Sequence, residues 1–260
     1  MKQKTAIITG STRGIGKSIA KIFAEHGIGV VINGRSEESV QRATRELSGL
    51  KGKVIGLAGA VEDPKTGEKL VQTALDAFGQ ADILINNAGF IRDHFIKNMP
   101  VQDFYDIINV HVNGAFYCTK PFVKALQKEK RKGHIIFMTS LSGLEGNIGQ
   151  VNYSAAKAAL LGMTWTLAKE LARDGIQVNA VAPAAVTDMT RPYIERAKKK
   201  AEEKGKELPD FWKLGSPEDV ARFTLKLVQN EIISGEIFGV NGKTIVRWNP
   251  PSISEEKVSL

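Results

Sequence analysis

Tyr153 and Lys157 stand four residues apart at the start of a helical pattern, and Ser140 stands thirteen residues before the tyrosine. Residues at this spacing share one helix face, so the phenol and the ammonium point the same way. An ammonium beside a phenol favours the phenolate. That lowers the tyrosine from its ordinary value of about 10 toward neutral pH and suits it to proton transfer. A serine at the end of a strand could donate to an oxygen on which charge develops. Tyrosine and lysine occur at this spacing by chance as well, so the pair takes its meaning from what precedes it.

The chain opens with a short apolar strand that ends in Thr9-Gly10-Ser11-Thr12-Arg13-Gly14-Ile15-Gly16, and a helical pattern follows at once. Glycines there let the backbone turn tightly and approach a pyrophosphate, whose charge is met by the free N–H groups of the helix start. Strand, loop and helix in this order predict a dinucleotide site rather than a structural turn. The second strand ends in Asn33-Gly34-Arg35-Ser36, without the carboxylate that binds a ribose 2′-hydroxyl in NAD enzymes. Arg13 and Arg35 suit a dianionic 2′-phosphate instead, which predicts NADP(H).

Positioning these groups requires strands that stop in the same plane. Strand patterns lie at Thr5–Thr9, Gly29–Asn33, Lys53–Leu57, Asp82–Ile85, His134–Thr139, Gln177–Ala182 and Glu236–Val240. Helical patterns lie near Gly14–His26, Glu37–Leu47, Pro64–Phe78, Asp103–Gln127, Asn152–Arg173 and Pro217–Gln229. Such alternation predicts parallel strands covered by helices, because each crossover needs a helix to return the chain. No repeat or linker divides the chain. The polar stretch Thr187–Leu214 follows the sixth strand and is expected to sit over the site as a lid, since ligands bind outside the carboxyl ends of such strands.

Composition fits an ordinary globular enzyme of 260 residues, 42% hydrophobic and 25% charged. No apolar run reaches the roughly 18 residues of a membrane helix. The start of the chain passes straight into a strand, which predicts no leader peptide and a cytoplasmic location. Cys118 is the single cysteine, which excludes an internal disulfide and a cysteine-based metal cluster; it reads as a small core residue. No metal is expected. The net charge of +8 is carried visibly by Lys124–Lys132 and Arg191–Lys206. Both read as solvated helix faces or as attraction for phosphorylated ligands, coenzyme A or an acidic carrier protein. Nothing indicates a nucleic-acid module.

Taken together, Thr9–Gly16, Asn86-Asn87-Ala88-Gly89, Ser140, Tyr153/Lys157 and Asn179-Ala180-Val181-Ala182-Pro183 resemble the short-chain dehydrogenase/reductase family over nearly the whole chain. The resemblance implies one extended domain over residues 1–260. This would be a three-layer, doubly wound α/β Rossmann-type fold with a seven-stranded parallel sheet. It implies Tyr153 as proton donor or acceptor, Ser140 as polariser of a carbonyl, and Lys157 as the residue that tunes Tyr153 and holds the nicotinamide ribose. Asn87, Ala88 and Gly89 would line the cofactor, with Val61 at the adenine and Pro183 and Val186 at the carboxamide. A homotetramer is implied as well, built on the helices Asp103–Gln127 and Asn152–Arg173.

The chain departs from the family pattern at several points. His111 occupies the place of an asparagine that supports a proton-relay water, and is read as a substituted relay residue or as a satisfied core histidine. Ala184 replaces a glycine after Pro183, Ala60 stands where an acid or amide often meets adenine, and Lys243 replaces a glycine beside Gly242. Within the family, Asn87–Asp93 with Met99, Thr187–Thr190 and Gly215–Val220 are similar to 3-oxoacyl thioester reductases, acting on acyl groups carried by acyl carrier protein or coenzyme A. Oxidation of another secondary alcohol and a non-catalytic NADP-binding regulator stand as the alternatives.

Overall fold

The computed structural model describes residues 4–250. Short aliphatic runs form the strands β1 (Thr5–Ile8), β2 (Gly29–Gly34), β3 (Val54–Ala58), β4 (Ile83–Asn86), β5 (Gly133–Met138), β6 (Ile176–Ala184) and β7 (Ile237–Asn241). Every residue of β1, β2, β4 and β5 is buried, as strands covered on both faces must be. Neighbouring residues divide cleanly between the two faces. Ile8, Ile32, Ile85 and Ile136 pack under α1 (Gly14–Glu25), α2 (Glu37–Glu46) and the late helix Pro217–Gln229. Ile7, Val31, Leu84 and Phe137 pack under α3 (Pro64–Phe78) and two further helices, Gly114–Lys128 and Val151–Glu170. The period-two alternation of strand side chains thus produces three layers around one sheet.

The strand order is β3-β2-β1-β4-β5-β6-β7, parallel throughout, with an eighth strand, β8 (Thr244–Trp248), antiparallel on the edge. The expected sheet had seven strands. The turn Asn241–Thr244 uses Gly242 at a φ of 58°, a left-handed conformation natural to glycine, so the chain folds straight back along β7. The first four residues of β8 are exposed, so it carries no buried apolar pattern for a sequence reading to detect. Chain order reverses between β1 and β4, and the loops leaving those two strands face one another there.

The expected helix Asp103–Gln127 is broken. It forms α4 (Val101–Ile108), a π-helical turn at Asn109–Asn113 and α5 (Gly114–Lys128). Beyond β5 come α6 (Leu141–Glu145) and α7 (Val151–Glu170). The stretch after β6 holds α8 (Arg191–Glu202) and a short 3-10 turn at Asp210–Trp212. The capping box of Ser216 and Asp219 then starts α9 (Pro217–Gln229). Among the described residues no helix is long and apolar enough to cross a membrane.

The closest helix contact on the α3 side depends on Gly67. A Cβ there would lie 2.0 Å from the carbonyl oxygen of Tyr117 on α5. Gly67→Ala should push α3 away from α5 and cost about 1–3 kcal/mol. Urea denaturation checks this, and an unchanged midpoint would show slack between the helices.

Candidate active site

Ser140 lies two residues beyond β5 and caps α6, its Oγ accepting from the Ser142 N–H at 3.2 Å. Tyr153 and Lys157 lie in the first two turns of α7. Thr139 Oγ1 donates to the Lys157 carbonyl at 2.8 Å, which fastens α7 beside Ser140. Gly143 lets α6 close on the same turn, since a Cβ there would lie 2.6 Å from the Lys157 carbonyl carbon. Ser140 and Tyr153 hydrogen-bond through their side chains. The buried Lys157 Nζ sits 5.4 Å from the Tyr153 ring centroid and donates to the Met138 carbonyl at 2.6 Å.

The electrostatics differ from the expectation drawn from spacing. Burial pushes Tyr153 up to about 12, the Ser140 hydrogen bond pulls it back, and the charge of Asp93 pushes it up further. Burial lowers Lys157 to about 7. Desolvation outweighs the ammonium–phenol attraction because both groups have left water and the lysine itself resists charging. The tyrosine is therefore held protonated at neutral pH.

His111 sits in the π-helical turn, a device that adds a residue to a helix and reorients side chains locally. Its ring stands edge-on to Tyr153 at 5.4 Å, and its Nε2 lies 2.8 Å from the Phe90 carbonyl and 3.1 Å from the Phe90 N–H. Burial first, then Lys157, hold it well below the ordinary histidine value, against the opposing hydrogen bond to Phe90. It is a neutral imidazole. Its Nδ1 and the Asn86 Oδ1 are buried without a partner among the described residues. Both residues line a small space of about 10 Å³ that Lys157 also borders, room for about one water.

On the other side of β1, the glycine loop packs against the end of β4. Gly10 has a φ of 60°, and a Cβ on it would lie 2.7 Å from the Ala88 Cα; one on Gly16 would lie 2.5 Å from the Asn87 amide nitrogen. Asn87 spends that amide on the Thr9 and Gly10 carbonyls at 2.9 and 3.0 Å, so it braces the loop. Ser11 is buried and ties the loop to β1 and β2, while Ile15 packs into the core. Thr12 and Gly14 are partly open, and Arg13 is exposed where α1 begins without a side-chain cap. Arg35 is exposed just beyond β2. Asn33 is buried and donates to the Leu57 and Gly59 carbonyls, so the place of a ribose-binding carboxylate holds an amide committed to the fold. Val61 is buried against Gly114. Pro183 lies within β6, and the Val186 N–H is given to the Gly215 carbonyl at 2.9 Å. A groove of about 470 Å³ runs from Gly14 and Lys17 past Val186 and Thr187 to Arg191, away from Tyr153. A glycine cradle that side chains would fill, an uncapped helix start and two exposed guanidiniums fit a dinucleotide phosphate.

The family described as short chain dehydrogenase matches residues 4–198 of this chain. The chain belongs to the short-chain dehydrogenase family. It is 36% identical over 248 residues to the 3-oxoacyl-acyl-carrier-protein reductase of Thermotoga maritima, covering 95% of this chain and 99% of that protein. It is 39% identical over 244 residues to the Escherichia coli K12 protein of the same name, covering 92% and 96%. A crystal structure of a short chain dehydrogenase from Mycobacterium avium superposes with a TM-score of 0.83 at 30% identity, covering 98% of this chain and 88% of that one.

The short-chain dehydrogenase core thus brings Ser140, Tyr153, Lys157 and His111 together at the ends of β4 and β5. The glycine loop and both arginines form a separate region across β1. Sequence reasoning did not single out Gln150 and Tyr193, each of which hydrogen-bonds Asp93 beside this core. Tyr193 lies 100 residues from Asp93, and nothing local marks the pairing. Lys157 offers a direct check on the electrostatics. Its value falls from 10.5 to about 7 on burial, so between those limits the unfolded chain holds a proton that the folded chain has released. This site therefore adds stability as pH rises through that window. Lys157→Met should gain most relative to wild type near about pH 6 and lose that advantage only as pH approaches 10.5, read from urea midpoints. An equal gap at both would show that Lys157 keeps its charge.

Proposed function

We propose that the chain is an NADP(H)-dependent reductase that converts a 3-oxoacyl thioester, carried by acyl carrier protein or coenzyme A, to its 3-hydroxyacyl form. The observation that carries the reading is the convergence of Ser140, Tyr153 and buried Lys157, whose Nζ lies 5.4 Å from the Tyr153 ring centroid on a helix that Thr139 fastens beside Ser140. The relatives in Thermotoga maritima and Escherichia coli, named as 3-oxoacyl-acyl-carrier-protein reductases, supply the substrate class. Exposed Arg13 and Arg35, with no carboxylate at the end of β2, support the 2′-phosphate.

NADPH, when bound, supplies the hydride. Ser140 and Tyr153 hydrogen-bond the carbonyl oxygen, and Tyr153 gives it the hydroxyl proton as the carbonyl carbon is reduced. The ammonium of Lys157 stabilises the phenolate left behind. At about 7, Lys157 is also poised to return a proton near neutral pH. His111 and Asn86, on the small cavity behind Lys157, hold the water that recharges it, with His111 acting as a neutral hydrogen-bonding group. Gly10–Gly16, with Ala88 and Gly89 behind them, seat the pyrophosphate. Val61 flanks the adenine, and Pro183 with Val186 meets the carboxamide. The stretch 187–214 covers the acyl chain, and its exposed Arg191 and Lys198–Lys200 attract an acidic carrier. The reading includes a cytoplasmic homotetramer, assembled through apolar side chains left exposed on α4 and α5: Val101 (70%), Tyr105 (57%) and Phe116 (48%).

Purified protein mixed with acetoacetyl-CoA and either NADPH or NADH tests the reading by loss of nicotinamide absorbance. Rapid loss with NADPH alone is expected. Preference for a free ketone or a sugar alcohol would overturn the thioester assignment. Tyr153→Phe should lower turnover by roughly 10²- to 10⁴-fold while leaving NADPH affinity, read by fluorescence titration, nearly intact. Arg35→Asp should shift the preference toward NADH, and an unchanged preference would mean that Arg35 serves only the surface.

A further inference from the structure

Asp93 lies in the loop after β4, outside the groups assigned to the reaction. One of its oxygens, Oδ2, accepts from the Tyr193 hydroxyl at 2.8 Å and from the Gln150 amide at 3.0 Å. The other, Oδ1, is buried without a partner among the described residues. Gln150 precedes α7 and is itself buried; its Oε1 accepts from Ser142 Oγ at 2.9 Å and from the Asn147 amide at 3.0 Å. The Ser142 N–H in turn donates to Ser140 Oγ. The result is a continuous line of hydrogen bonds: Tyr193, Asp93, Gln150, Ser142, Ser140.

The two ends of this line are held differently. At the inner end the loop is fixed to its surroundings. The His94 N–H donates to the Gly149 carbonyl at 2.9 Å, and the Asn152 amide donates to the Arg92 carbonyl at 2.9 Å. At the outer end, α8 is a highly charged helix on which Ile194 and Ala201 are the buried residues. Tyr193 stacks on Trp212 from the 3-10 turn, with ring centroids 6.5 Å apart and planes 7° apart, and Phe211 packs edge-on against Trp212 at 5.0 Å. One side chain of α8 therefore gathers the aromatic residues of the segment and ties them to the loop that braces Ser140.

We infer that Asp93 is a positioning residue that latches the α8 segment through Tyr193 and couples its closure to the orientation of Ser140. The inference rests on reading Ser140 and Tyr153 as the reacting pair. Closing the segment completes the line and, through Ser142, sets Ser140 against the substrate oxygen; opening it removes one of the two bonds that orient the Asp93 carboxylate. Tyr193 and Trp212, carried by the closing part, then shape the wall that selects the acyl group.

Tyr193→Phe removes one hydroxyl, and Asp93→Ala removes the carboxylate. Asp93→Asn keeps an oxygen able to accept from both partners. The exposed run Arg196–Lys200 on α8 makes opening measurable without turnover, by the rate of trypsin cleavage there in the NADPH-bound protein, followed by mass spectrometry. Tyr193→Phe and Asp93→Ala should be nicked roughly three- to ten-fold faster than wild type, the range set by losing one hydrogen bond, with Asp93→Asn close to wild type. With acetoacetyl-CoA, Tyr193→Phe should raise KM several-fold and lower kcat modestly, because one of the two bonds that orient Asp93 is lost. Asp93→Ala should lower kcat further, because Gln150 and Ser142 lose their anchor. Wild-type nicking rates in both Tyr193→Phe and Asp93→Ala would overturn the latch. Should wild type leave acetoacetyl-CoA unreduced while the two variants are nicked faster, the thioester reading fails and the latch stands.

Discussion

Between β1 and β4 the chain runs backbone against backbone. A Cβ on Gly10 would meet the Ala88 Cα at 2.7 Å, and one on Gly16 would meet the Asn87 amide at 2.5 Å. That approach occurs where the strand order reverses, so no helix can lie between the two loops. Both regions of the site follow from it. The glycine loop stays low against the end of β4, the shape that the proposed phosphate site needs. The segment after β4 is carried across the ends of β1 and β5 toward Ser140. Asn87 maintains the spacing by giving its amide to the Thr9 and Gly10 carbonyls, which leaves the loop little room to rise.

The parallel strands and their covering helices were legible in the sequence because each is an uninterrupted aliphatic run whose burial admits few other arrangements. Tyr153, Lys157 and Ser140 were legible for a related reason, since helical periodicity and the end of a strand fix where they point. What escaped was governed by single residues or by long-range pairing. The π-helical turn at Asn109–Asn113 leaves no break in composition; it adds one residue to a helix whose apolar pattern continues on either side. β8 is mostly exposed and was missed because a strand without a buried face has no apolar signature. Asp93 and Tyr193 meet only because β4 and β6 end on the same side of the sheet.

Spacing also suggested an electrostatic outcome that burial reversed. A lysine one turn from a tyrosine lowers the phenol in water, where both keep their hydration. Here the ammonium is enclosed and bonded to the Met138 carbonyl, and the energy of keeping it charged has risen faster than its attraction for a phenolate. The consequence is a division of labour. In the reaction proposed above, Tyr153 stands as the acid, and Lys157, lowered to about 7 by burial, is the group that replaces the proton. A neutral His111 suits this arrangement, because a second cation beside Lys157 would depress the lysine further. The histidine at that position is therefore compatible with the proton path only while its burial keeps it uncharged, and its place in the π-helical turn, with Nε2 against the Phe90 backbone, is what keeps it buried.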